Sequence, residues 1–205
     1  MEQWDNQSYY YSIVSLFHCH WTMQTKHNSD SIIFGGGCFW CMEAVFQMLR
    51  GVSSVTSGYT GGEKPNPSYQ AVSNGDTGHV EAIKIEFDPA VVTLENLLAV
   101  FFSSHDPTTP NRQGHDIGPQ YRSAIFYNSP EQEAIIRAYT KNLTDDKTFV
   151  RPIVTEIAPA LPFYTAEEYH QNYYQNNREQ GYCMAVIDPK IAKLRKEYTH
   201  LLRQS

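Results

Sequence analysis

"SIIFGGGCFWCMEAVFQMLRG", Ser31 to Gly51, reads as a strand, a glycine turn and a helix in direct succession. Ser31–Phe34 is a short apolar run. Met42, Val45, Phe46 and Leu49 then recur at helical spacing, and Arg50-Gly51 closes the helix. Gly35–Gly37 allow a sharp strand-to-helix turn and a close backbone approach, which places Cys38 at or just before a helix N-terminus.

Further along, Val52–Tyr59 reads as a second strand running into the turn-rich "TGGEKPNPSY". His79–Phe87 alternates, with Ile83, Ile85 and Phe87 on one side and Lys84 and Glu86 on the other. Thr93 caps a helix whose stripe is Leu94, Leu97, Leu98 and Phe101. Ser103–Gln120 has no period, and a loop of that length in a compact domain is usually functional or disordered. Ser123–Tyr127 is a strand, and Ser129-Pro130-Glu131-Gln132 is a capping box opening a helix to about Asn142. Ile153–Ile157 reads as a strand. Thr165 and Glu168 form a second capping box for a helix containing "EEYHQNYY". Ile191, Leu194, Tyr198 and Leu201 mark a C-terminal helix. Strands and helices intermingle, so the expectation is one α/β domain over residues 30–205, built on a mixed sheet with long irregular loops.

Residues 1–29 differ from the rest. Tyr9–Phe17 is apolar, but Glu2 and Asp5 precede it, no Lys or Arg occurs before Lys26, and His18 and His20 interrupt it. This reads as an irregular extension of a cytoplasmic protein, and no stretch reaches the roughly 20 apolar residues of a membrane-spanning helix. A net charge of −6 without a basic run argues against nucleic acid or an anionic membrane as partner. The four cysteines, Cys19, Cys38, Cys41 and Cys183, are spaced unlike a disulfide framework. No second CxxC or close His pair completes a zinc set, so neither metal nor cofactor is expected. Cys19, in the extension, is read as incidental.

The chemistry gathers around Cys38. Backbone N–H groups at a helix start favour a thiolate, the nucleophilic form of cysteine. The competing reading is a buried, inert thiol. Phe39 and Trp40 make either an apolar wall beside the nucleophile or ordinary core. Cys41 lies one helical turn from Cys38 and can close a disulfide with it, while Cys183 needs the fold to bring it near. Glu81 shares the parity of Ile83, Ile85 and Phe87. A carboxyl on that face is desolvated and holds its proton towards neutrality, unless the strand end exposes it. His79 shares the parity and serves the turn. These residues fit a thiol-dependent reductase. They also leave open a thioredoxin-like dithiol–disulfide oxidoreductase built on Cys38 and Cys41, or a peptide-binding module whose thiols are incidental.

"GGGCFWCMEAVF", "SGYTGG", "NPSYQAVSNGDTGHVEAIKIEFDP", "HDPTTPNRQGHDIGPQYRSAIFY" and "FYTAEEYHQNYY" together resemble the A-type peptide-methionine sulfoxide reductases, in family order from about Ile32 to Arg195. The resemblance implies a two-layer α/β plait around a mixed sheet. It implies that Cys38 attacks the sulfur of a methionine S-sulfoxide, free or in proteins, and that Glu81 protonates its oxygen. Tyr69 and Tyr121 would hydrogen-bond to that oxygen, Phe39 and Trp40 would hold the methyl group, and Asp116 would have a positioning role. A sulfenic acid on Cys38 would be resolved by Cys41 or Cys183, and thioredoxin would reduce the disulfide of what is expected to be a monomer. Many family members carry glycine where this chain has Cys41, and resolve with cysteines in a C-terminal tail. His170 matches the family and reads as structural.

Overall fold

The computed structural model describes residues 29–204. The extension, with Cys19, therefore lies, apart from Ser29, outside the described residues. In chain order the elements are β1 (Asp30–Gly36), α1 (Phe39–Phe46), β2 (Val52–Thr60), α2 (Tyr69–Ser73), β3 (Val80–Phe87) and α3 (Leu94–Ser104). They continue with a small hairpin of β4 (Arg112–Gln113) and β5 (Asp116–Ile117), then β6 (Ser123–Tyr127), α4 (Pro130–Asp145), β7 (Glu156–Pro159) and β8 (Tyr164–Thr165). Two helices, α5 (Tyr173–Asn176) and α6 (Asp188–Glu197), complete the set.

Six strands form one sheet in the order β7-β6-β1-β3-β2-β8. The β6–β7 pair is parallel, joined by α4 as a crossover, and the other pairs are antiparallel. The sheet is therefore mixed, as expected. Its register places Ile32 opposite Ile85 and Phe34 opposite Ile83. These side chains face the helices and pack with Val45, Phe46, Leu97 and Phe101 in the main core. The opposite face buries Ile33, Val80, Ala82, Ala124 and Phe126 under Ala158, Ala160 and Phe163. Among the described residues, no helix is long and apolar enough to cross a membrane.

Three local expectations are corrected. The strand expected at Ile153–Ile157 begins at Glu156, because the preceding residues bond elsewhere: the Val154 N–H donates to the Pro107 carbonyl at 2.8 Å and Thr155 meets the Ser123 hydroxyl. The Ser129 box is displaced by one residue. Ser129 Oγ accepts the Gln132 N–H, but the Gln132 side chain accepts from Asn128, and the helix runs to Asp145. The third concerns "EEYHQNYY", which is not one helix. A 3-10 turn at Glu168–His170 ends at an extended Gln171, and Asn172 takes a positive φ of 53° before α5. The Gln171 side chain bonds to the Ser57 backbone and to the Ala166 carbonyl, and Glu43 accepts the N–H groups of Asn172 and Tyr173. Side chains thus satisfy backbone groups that a continuous helix would have paired within itself.

The long loop is ordered by its own side chains. His105 bridges the Phe101 carbonyl and Ser123 Oγ at 2.8 Å each, and Asp106 caps Thr108. The β4–β5 hairpin then carries Asp116 back towards α1.

Candidate active site

A cavity of about 170 Å³ opens at the N-terminal end of α1. Cys38, Phe39, Trp40, Tyr69, Glu81, Asp116 and Tyr121 line it, so the fold brings together all the expected catalytic and binding side chains. Pockets for drug-sized ligands run to roughly 300–1,000 Å³, so this one accommodates the end of a side chain rather than a whole bulky ligand. A larger polar hollow of about 600 Å³ lies between Gly61–Lys64 and Asp76–Gly78, but no cysteine, histidine or aromatic side chain lines it.

Each wall has a local cause. Gly37 has φ of 87°, and a Cβ there would lie 2.6 Å from the Gln113 side chain, so the turn that presents Cys38 requires glycine. Cys38 is the N-cap of α1, 8% exposed, with Phe39 and Trp40 opening the helix. Tyr69 begins α2, where Ser68 caps the helix and Glu167 accepts the Tyr69 N–H at 2.9 Å. Tyr121 ends the 3-10 turn Pro119–Tyr121 that follows the hairpin. Glu81, on β3 opposite Tyr59, lies under the start of α1 and accepts the Phe39 N–H at 3.1 Å.

Burial pushes the Glu81 carboxyl up to about 8, against the opposing effect of the Phe39 N–H. It is therefore mainly protonated at neutral pH. Burial also raises the phenols of Tyr69 and Tyr121, so both remain donors. Asp116 is raised by burial too, while the Tyr182 hydroxyl, donating at 3.4 Å, opposes the shift.

The thiols differ from the expectation. Its place at the helix start does not lower the Cys38 thiol. Burial raises the Cys38 thiol well above its usual range, and its hydrogen bond to Cys41 adds to this. Cys41 is lowered to about 7, chiefly by that same bond and despite its own burial. The two sulfurs therefore titrate as one pair rather than as two independent thiols. The Tyr182 hydroxyl lies 3.7 Å from Cys41 Sγ.

Cys183 is fully buried and packs with Cys38 and Cys41 in one apolar cluster. The chain there is a π-turn, Cys183–Ile187, leading into α6. His79 is buried behind Tyr164, outside the cavity. Among the described residues, no cluster of three or more His, Cys, Asp or Glu is arranged to hold a metal ion.

Sequence reasoning missed Tyr182, which completes the cavity wall, and Tyr173, whose ring stacks on Trp40 at 3.7 Å and 8°. With 14 tyrosines in the chain, no spacing or parity marks these two. Only the broken backbone around Asn172 puts Tyr173 against the indole.

The family described as peptide methionine sulfoxide reductase matches residues 30–202. Peptide methionine sulfoxide reductase MsrA of Deinococcus radiodurans is 57% identical over 174 residues, 85% of this chain and 84% of that protein. Among solved structures, methionine sulfoxide reductase A of Corynebacterium diphtheriae superposes with a TM-score of 0.70 at 34% identity, covering 73% of this chain and 76% of that one. Mxr1 of Saccharomyces cerevisiae in its reduced form gives 0.70 at 33% identity, over 76% and 89% of the two chains. The same yeast protein in complex with Trx2 gives 0.50 at 25% identity, over 71% and 84%.

Proposed function

The chain belongs to the peptide methionine sulfoxide reductases, and from that premise we propose that its cavity reduces the S epimer of methionine sulfoxide by a cysteine sulfenic acid route. One observation carries the reading: a soft nucleophile, a protonated carboxyl and two phenol donors converge on a cavity sized for a methyl sulfoxide.

A sulfoxide needs all three parts, because its sulfur must be attacked while its oxygen gains charge. Phe39 and Trp40 hold the methyl group, and Asp116 positions the substrate through the loop and Tyr182. Cys38 Sγ attacks the substrate sulfur as its proton passes to the Cys41 thiolate. Glu81 gives its proton to the oxygen, and Tyr69 and Tyr121 donate hydrogen bonds to it. The hydroxyl then passes from the substrate sulfur to Cys38 Sγ as the new Cys38–substrate S–S bond and the substrate S–O bond break, and methionine leaves. The substrate has gained two electrons, and Cys38, oxidised by two, is left as a sulfenic acid, S–OH.

Cys41 then attacks the Cys38 sulfur. The S–O bond breaks, the hydroxide leaves as water with the Cys41 proton, and a Cys38–Cys41 disulfide forms. Cys41 is favoured because it lies in the first turn of the helix that Cys38 caps, packs in the same cluster, and is the more acidic sulfur. Cys183, in the same cluster, is the other candidate. An external dithiol returns the disulfide to two thiols. Thioredoxin is the proposed reductant, supported by the solved complex of Mxr1 with Trx2.

The test is turnover of separated methionine sulfoxide epimers with dithiothreitol. Reduction of the S form alone, absent in Cys38→Ser, is expected. Consumption of both epimers, or activity confined to protein disulfides, would refute the reading.

A further inference from the structure

The cysteines of the described residues differ in their access to solvent. Cys38 is 8% exposed and lines the cavity. Cys41 is 1% exposed and Cys183 is 0% exposed, and neither lines it. Ala44, Ile187 and Ile191 close in on both buried thiols in one apolar cluster, and the Tyr182 hydroxyl lies 3.7 Å from the Cys41 sulfur.

A thiolate reduces a disulfide by attacking one sulfur along the S–S axis and expelling the other, so access and leaving ability decide the outcome. Both select Cys38. Attack on Cys41 or Cys183 would have to come through the cluster that buries them. A bridge from Cys38 to Cys41 spans only the first turn of α1, so it forms with little movement of the backbone that holds Cys38 at the wall. Attack on Cys38 then expels Cys41, whose lowered pKa of about 7 makes it the better leaving sulfur. A bridge to the fully buried Cys183 would leave the same choice. The cavity, at about 170 Å³, has room for the end of one side chain at a time.

We propose that the dithiol reductant inserts its nucleophilic cysteine into the substrate cavity and attacks Cys38, so that substrate and reductant share one entrance and exclude one another. The disulfide under attack is the one that the sulfenic acid route supplies, and the proposal rests on that reading. The partner must carry its cysteine on a projecting segment, because a recessed thiol cannot reach the wall. Its thiolate bonds to Cys38 Sγ, the internal S–S bond breaks, and Cys41 leaves as a thiolate. The partner's second thiol then loses its proton and attacks the partner sulfur bonded to Cys38. The mixed disulfide breaks, and Cys38 departs as a thiolate that takes up that proton. The enzyme has gained two electrons and the partner has lost two.

The test uses the wild-type protein oxidised with one equivalent of N-acetylmethionine S-sulfoxide. It is mixed with a thioredoxin whose second active-site cysteine is replaced by serine, so that the reaction stops at the mixed disulfide. Acid quenching and mass mapping are expected to find the thioredoxin sulfur on Cys38. N-acetylmethionine, the product, should slow reduction by unaltered, subsaturating thioredoxin about tenfold when present at ten times its Kd for the oxidised enzyme. A mixed disulfide on Cys41 or Cys183 would overturn the inference alone. So would an undiminished rate with the cavity saturated, or no trapped adduct while unaltered thioredoxin reduces the enzyme. If the oxidised protein holds no disulfide at Cys38, the sulfenic acid reading fails and takes the inference with it.

Discussion

The carboxyl of Glu81 accepts the backbone N–H of Phe39 at 3.1 Å, and this contact joins the buried acid to the helix that Cys38 caps. The first N–H of α1 is thus directed at Glu81, and in the proposed mechanism the Cys38 sulfur gives its proton to Cys41. Two titrations should govern kcat/KM for methionine sulfoxide. Activity should rise with pH as the thiol pair loses its proton near about 7, and fall as Glu81 loses its own near about 8. A bell-shaped profile with limbs there is expected. Glu81→Gln should lower kcat/KM by about 100-fold or more, the range for loss of a general acid, and remove the alkaline limb. An unchanged alkaline limb in that variant would assign it to another group.

The same carboxyl should weaken the fold. Its pKa is about 8 in the native protein against 4.5 for a free side chain, so the folded state binds the extra proton between those values. Stability from this group is fully present below about 4.5 and is lost as pH rises to about 8. At pH 7 the unfolded carboxylate is favoured by about 3 kcal/mol, from 1.36 kcal/mol per pKa unit. Glu81→Gln, which keeps the shape and does not ionise, should therefore be more stable than wild type at pH 7 in urea denaturation, with little gain at pH 4.5. A variant that is less stable at both pH values would contradict the assigned burial cost.

Removing Cys41 should separate the two halves of the cycle. In Cys41→Ser, one equivalent of methionine should still form per enzyme, because Cys38, Glu81 and the phenols remain, but more slowly, because the thiolate that takes the Cys38 proton is gone. The sulfenic acid should then accumulate for trapping by dimedone, and turnover with thioredoxin should fall about tenfold or more. The group titrating near about 7 should vanish from the pH dependence of iodoacetamide alkylation. Mass mapping of oxidised wild type should find Cys38 bonded to Cys41. A Cys38–Cys183 disulfide in its place would make Cys183 the resolving thiol.

Much of this was legible in the chain because it is local. The glycine run followed by a helical stripe located Cys38 at the N-cap, and strand parity alone put Glu81 on the buried face. The mixed sheet followed from intermingled strand and helix patterns. Three things were not local. The thiol acidity reverses because Cys38 and Cys41 share a proton, a pair property that helix position does not encode. Asp116 is in place only because His105 and Gln113 order an aperiodic loop. The segment around His170 opens with a capping box, yet long-range side-chain bonds break it, and that break puts Tyr173 and His170 on Trp40.

Glu43 is the test of that last point. It is 1% exposed, and its two oxygens accept the N–H groups of Asn172 at 2.9 Å and Tyr173 at 3.2 Å. Burial raises its pKa, and the two bonds from the backbone oppose the rise. Glu43→Ala leaves two donors without their acceptor and a small void in α1, which together should cost about 2–4 kcal/mol. The effect should extend to the site, because Tyr173 is the platform on which Trp40 lies. Glu43→Ala should raise KM for methionine sulfoxide several-fold at a temperature where the variant is still folded, with the single-turnover rate of the Cys38 step nearly unchanged. Glu43→Gln, which retains one acceptor oxygen, should fall between the two. A variant that loses stability but keeps the wild-type KM would show that the platform does not depend on this cap.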